Sequence, residues 1–140
     1  SNAAASIKDA QTLLGFKLRI AAPQGYRPSA DVLDFGGDAV KVVDDPQEAV
    51  AGADCVLTDV WASMGDEDQK QQRQRDLAAY QVDARLMAKA APEAIFMHCL
   101  PAHRGEEVTA EVIDSPASAV WREAENRLHT QKALLEMLIR

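Results

Sequence analysis

Four short apolar runs punctuate the chain: residues 16–22 (FKLRIAA), 40–43 (VKVV), 54–60 (DCVLTDV) and 94–99 (AIFMHC). The stretches between them carry helical spacing, helix caps or charge. This alternation constrains the fold more than any other feature. Strands that alternate with helices build a parallel sheet with helices on both faces. Runs that are apolar at their centres suit strands covered on both sides. The expected class is therefore α/β, a doubly wound parallel sheet in a single domain. Ile7, Ala10, Leu13 and Leu14 recur at helical spacing ahead of the first run, with Gly15 placed as a C-cap. A doubly wound domain opens on a strand, so a domain lacking its first strand is expected.

Punctuation residues refine the reading. Pro23, Gly25 and Pro28 mark the loop after the first run. Asp45-Pro46 starts a short helix, with Asp as N-cap and Pro at the first helical position. Residues 66–75 form a polar, exposed and partly helical stretch. A helix is expected over 82–90 and a short one over 108–113. Ala119-Val120-Trp121 reads as a fifth strand, followed by a terminal helix over 122–139. Ser1-Asn2-Ala3 looks like a tag remnant, leaving residues 4–140 as the domain.

With 140 residues the chain can bury a real core. Its net charge of −7 opposes nonspecific binding to nucleic acid, which needs a surplus of cations. An anionic small molecule needs only a few local cations and is not excluded. The two cysteines, Cys55 and Cys99, lie in separate strand-like runs and suggest no disulfide framework, which fits a reducing cytoplasm. No apolar run approaches the roughly 20 residues of a membrane-spanning helix.

Three constellations carry possible chemistry. Asp59-Val60-Trp61-Ala62-Ser63-Met64-Gly65 closes the third run with a carboxylate and a hydroxyl on one loop. Such a loop can hold an ammonium group, and its backbone N–H groups a carboxylate. Equally, Asp59 and Ser63 can simply cap the next helix. His98-Cys99-Leu100-Pro101 ends the fourth run, because Pro101 cannot continue a ladder. Open α/β sheets place ligands at this C-terminal edge. Cys99 is either a thiol active through its thiolate or a small buried hydrophobe. His98, Cys99 and His103 lack a fourth ligand and paired spacing, so no metal site is expected. Glu123-Ala124-Glu125-Asn126-Arg127 opens the terminal helix. Arg127 there can meet a phosphate at the positive end of the helix dipole. Alternatively it forms an i,i+4 surface pair with Glu123. Trp61 and Trp121 are expected to pack rather than to serve as ligand platforms.

Taken in this order, the three constellations resemble the ornithine carbamoyltransferase family. Asp59 to Gly65 is similar to its ornithine loop, His98 to Pro101 to its His-Cys-Leu-Pro motif, and Glu123 to Arg127 to the start of its final helix. Residues 21–26 (AAPQGY) and 45–49 (DPQEA) also match its phrasing. The resemblance runs from Ile7 to Arg140 and implies a Rossmann-like, doubly wound fold. It implies transfer of a carbamoyl group from carbamoyl phosphate to the δ-amine of ornithine, giving citrulline and phosphate without a cofactor or metal. Asp59, Ser63 and Met64 would hold ornithine's α-amino and α-carboxylate end. Cys99 would be the catalytic proton acceptor, with His98 in support. Cys99, Leu100 and Arg127 would contact carbamoyl phosphate. The resemblance also implies a cytoplasmic parent enzyme that is a homotrimer, binding no nucleic acid and no membrane.

The family's carbamoyl-phosphate domain with its Ser-Thr-Arg-Thr loop is not in this sequence. Neither is the Gly-Asp-Gly-Asn-Asn strand and turn, and the stretch from Tyr26 to Val40 is shorter than usual. The chain alone is therefore expected to be inactive. Related readings are a transcarbamylase for putrescine or N-acetylornithine, or a noncatalytic Rossmann-like module. The Ser63-Met64-Gly65 loop favours ornithine. Aspartate as acceptor fits poorly, since that branch has proline where Cys99 stands.

Overall fold

Helix α1 (Asn2–Leu14) opens the chain and stops at Gly15, whose φ of 73° few other residues adopt. The Gly15 N–H donates to the Gln11 carbonyl at 2.8 Å, closing the helix end. There follow β1 (Leu18–Ala21), β2 (Val40–Val43), α2 (Pro46–Val50), β3 (Cys55–Thr58), α3 (Glu67–Leu77), α4 (Ala84–Met87), β4 (Ile95–His98), α5 (Ala110–Ile113) and α6 (Val120–Leu138). This is a computed structural model, and it describes residues 2–30, 33, 37–62 and 67–139.

All strand pairing is parallel, as the alternating pattern requires. Among the described residues, four strands form two separate pairs, β1–β2 and β3–β4, rather than the single sheet expected. No described strand bridges the two pairs. The fifth strand expected at Ala119-Val120-Trp121 is also replaced. Phe96 donates its N–H to Ala117 and accepts one from Ala119, which makes a single bridge at Ser118. The helix then begins at Val120, before a ladder can extend. The helix expected over 82–90 shortens to Ala84–Met87 for a similar reason: Val82 is used in a bridge to Val108.

Local caps match local sequence. The Asp45 carboxylate accepts the Gln47 N–H at 2.8 Å, and Pro46 occupies the first helical position. The Arg19 guanidinium, from β1, donates to the carbonyls of Glu48 and Ala51 at 3.1 and 2.9 Å. These carbonyls at the C-terminal end of α2 would otherwise lack partners. Replacing Asp45 by alanine is expected to cost about 1 kcal/mol of unfolding free energy. Urea titration of the two proteins measures the difference.

The core is built around β4. Phe96 is fully buried against Val50, Val56, Val82, Leu86, Val108, Val112, Ile113 and Val120. Burying one such aromatic side chain stabilises by roughly 1.5–3 kcal/mol. This packing fixes β4 and sets the end of the strand in space.

Candidate active site

The register of β3 on β4 places the site. Thr58 lies opposite His98, so the next residues, Asp59 and Cys99, emerge side by side. The Cys99 thiol donates to Asp59 Oδ1 at 3.3 Å. The same oxygen accepts the Val60 N–H at 2.8 Å. Two motifs 40 residues apart thus converge on one carboxylate oxygen. Asp59 caps its own turn rather than the following helix. Cys99 is exposed, so it is not the small buried hydrophobe that a strand cysteine often is.

The thiol stands among negative groups. Partial burial, the hydrogen bond to Asp59, the Asp59 charge and the more distant Glu123 together push Cys99 up to about 11. At neutral pH it is a thiol that donates, not a thiolate. Among the described residues, the second oxygen of Asp59 has no hydrogen-bond partner.

Beneath Cys99 lies a buried polar spine. His98 is fully buried, and its Nδ1 accepts the Leu100 N–H at 2.9 Å. In the neutral ring the proton then sits on Nε2. That atom lies 3.3 Å from Glu107 Oε1, within ion-pair reach though off good hydrogen-bond geometry. Glu107 is itself fully buried and accepts the His103 N–H at 2.6 Å. Burial pushes its carboxyl up, but His98 and the N–H groups of His103 and Glu107 outweigh that and leave it below its ordinary value. The His98 N–H, at the end of the β4 ladder, donates to Glu123 Oε2 of α6 at 3.0 Å. Leu100 sits at a φ of 53°, a conformation costly for a bulky residue. Hydrogen bonds through His98, Glu107 and Glu123 hold this turn from below.

The sequence and the fold both have counterparts among known proteins. The family profile described as aspartate/ornithine carbamoyltransferase, Asp/Orn binding domain, matches residues 1–138. The chain belongs to this family. An ornithine carbamoyltransferase from Nitrosococcus oceani is 55% identical over 139 residues, covering 99% of this chain and 46% of that protein. The ornithine carbamoyltransferase structure from Pyrococcus furiosus superposes with a TM-score of 0.86 at 46% identity, covering 94% of this chain and 44% of that one. The structure from Burkholderia thailandensis gives 0.84 at 49% identity, covering 96% and 42%. The chain therefore spans less than half the length of these relatives. Its fold is the Rossmann-like α/β type of the carbamoyltransferases.

Other family motif residues are placed less directly. Ser63 and Met64 lie outside the described residues. Arg127 does not sit at the start of the terminal helix. Because α6 begins at Val120, Arg127 falls in its third turn and is exposed. The helix dipole acts mainly within the first turn, so it adds little at Arg127. The i,i+4 partner Glu123 is turned instead toward the His98 N–H. Arg127 still shares the face of Glu123, about 6 Å further along the axis. Trp121 is exposed rather than packed, whereas Trp61 is half-buried.

One residue of the site, Glu107, has no distinctive sequence signal, whereas Glu123 lies in the third motif but reads there as a surface partner of Arg127. Glu107 stands in a charged run, Arg104-Gly105-Glu106-Glu107, which reads as solvated surface. His103, Glu106 and Glu107 bring potential ligand atoms within 4.8 Å of one another. Their charges already have partners, because Lys70 lies 3.0 Å from Glu106 and Glu107 faces His98. Among the described residues no helix is long and apolar enough to cross a membrane.

Proposed function

We propose that this chain is the ornithine-binding half of an ornithine carbamoyltransferase. The whole enzyme would transfer the carbamoyl group of carbamoyl phosphate to the δ-amine of ornithine, releasing citrulline and phosphate. The observation that carries this reading is the meeting of Asp59 and Cys99 at adjoining strand ends.

Each residue has a chemical task in this reading. The Asp59 carboxylate holds the α-ammonium of ornithine through its second oxygen. Ser63 and Met64 complete the hold on the amino-acid end. The δ-amine attacks the carbamoyl carbon, a C–N bond forms, and the C–O bond to phosphate breaks. The amine must lose a proton along the way. Cys99 becomes an acceptor only once its own proton has been released to solvent, leaving the Asp59 carboxylate ionised for the ammonium. An ammonium on Asp59 offsets two of the influences that keep the thiol protonated, so substrate binding itself moves Cys99 toward its active form. The Leu100 backbone and Arg127 face the carbamoyl phosphate, where fixed positive groups stabilise the developing charge. No cofactor and no metal enters. We further propose that the parent enzyme is a cytoplasmic homotrimer.

Calorimetry with L-ornithine and with norvaline tests the half-site. Binding at about millimolar affinity or tighter, abolished by Asp59→Ala, is the expected result. Ornithine binding that survives Asp59→Ala overturns the assignment of the carboxylate. Tighter binding of putrescine than of ornithine transfers the chain to a related transcarbamylase. Citrulline formation by the purified chain at a full-length rate overturns the half-site reading.

A further inference from the structure

The edge of β4 away from β3 is completed by a side chain. Ile95 donates its N–H to Asp54 on the β3 side, so Phe96 and His98 point their N–H groups the other way. The Phe96 N–H donates to the Ala117 carbonyl at 2.9 Å, and the Phe96 carbonyl accepts the Ala119 N–H at 2.8 Å. A parallel ladder would next offer the Ala119 carbonyl to the His98 N–H. Because α6 has begun, that carbonyl instead accepts the Glu123 N–H at 2.9 Å. Glu123 supplies the missing acceptor itself, since its Oε2 takes the His98 N–H at 3.0 Å. One residue thus draws off a ladder carbonyl with its backbone and replaces it with its side chain. His98, Ala119 and Val120 around this exchange are buried.

The replacement changes chemistry as well as geometry. A carboxylate carries a full charge and makes a stronger hydrogen bond to an N–H than a peptide carbonyl does. The first turn of a helix suits that charge, and Glu123 lies in it. Cys99 directly follows His98, and Arg127 lies one helical turn after Glu123. We propose that Glu123 is a positioning residue for the carbamoyl transfer, fastening the strand end that carries Cys99 to the helix that carries Arg127. The proposal rests on the ornithine reading above. The two sides of the site are then held in one fixed relation. Two charged groups act on the thiol, Asp59 from the end of β3 and Glu123 from α6, and both favour its protonated form.

Glu123→Gln and Glu123→Ala separate contact from charge. Amide exchange of His98 by NMR reads the contact, iodoacetamide rates at Cys99 across pH read the charge, and ornithine calorimetry reads the site. Glutamine keeps an oxygen for the His98 N–H and loses the charge. It should leave His98 exchange within about twofold of the parent. Alkylation of Cys99 at pH about 8 should quicken roughly twofold. Cys55, on which the same charge acts, should quicken as well. Alanine should speed His98 exchange at least about tenfold and weaken ornithine binding about tenfold, while glutamine keeps it within about threefold. A His98 amide that stays protected in the alanine variant overturns the proposal. So does a Cys99 profile that glutamine leaves unmoved, a result that decides the matter even where alanine does not fold. Lower urea stability with thiol and ornithine unchanged makes Glu123 merely structural and overturns it too. A parent chain that binds no ornithine counts against the ornithine reading alone, and exchange and alkylation still decide the role of Glu123.

Discussion

Replacing Glu107 by alanine lowers the unfolding free energy by about 3–5 kcal/mol, the sum expected from a buried donor left without its acceptor and from the cavity that truncation opens. A domain of this size has only about 5–15 kcal/mol in total, so the variant approaches the folding threshold. The effect follows from what Glu107 touches. Its carboxylate faces His98 Nε2 at 3.3 Å and takes the His103 N–H at 2.6 Å, with no solvent exposure. Truncation leaves both groups without that partner and opens a cavity beside the turn that carries Cys99. The neighbouring Glu106 provides the control. It is partly exposed and pairs with Lys70 at 3.0 Å, so Glu106→Ala should cost within about 1 kcal/mol. Urea unfolding of both variants separates a buried role from a surface one, and equal losses would refute it.

The same carboxylate sets a pH dependence. Its folded pKa lies below the ordinary value of 4.5, so the folded state resists protonation more than the unfolded one. The stability it contributes is complete above that ordinary value and is lost as pH falls through the lower folded value. Glu107→Gln should therefore be less stable than the parent at neutral pH and lose less on acidification.

How much was legible in the sequence depended on how local each determinant is. The end of β4 was readable because Pro101 forbids a continued ladder. The Asp45 cap was readable because it joins residues two apart. The start of α6 was not. An apolar triplet such as Ala119-Val120-Trp121 suits a strand or a helix, and one bridge to Phe96 decides against the strand. That shift of two residues carries Arg127 further from the positive end of the helix dipole. Glu107 was hidden for another reason. Its burial comes from Val108, which pairs with both Val82 and Arg104 and draws a charged segment inward. No short-range pattern records such a contact. The Asp59–Cys99 meeting lies between these cases. Each motif was visible, but the 3.3 Å contact depends on the parallel register of β3 with β4.

Asp59→Asn should make Cys99 markedly more reactive, although it removes a charge from the candidate site. In the parent, burial is the largest influence on the thiol, followed by its hydrogen bond to Asp59 and the Asp59 charge, and together with Glu123 they raise it to about 11. Asparagine abolishes the charge and weakens the acceptor, while burial and Glu123 remain. The pKa should then fall but stay above the ordinary thiol value of 9.0. At fixed pH the thiolate fraction grows tenfold for each unit of that fall, partly offset because a more acidic thiolate is a weaker nucleophile. Alkylation by iodoacetamide at pH about 8 should therefore quicken roughly two- to fivefold. Peptide mass spectrometry distinguishes Cys99 from Cys55, which has its own raised pKa from burial and Glu123 and should not change. Ornithine added to the parent chain should act in the same direction, because its ammonium neutralises the same carboxylate. If the asparagine variant quickens and ornithine does not, the coupling is a property of the strand ends alone and Asp59 does not receive the ammonium. If neither quickens, Asp59 does not govern the thiol, and a proton acceptor at Cys99 loses its means of activation.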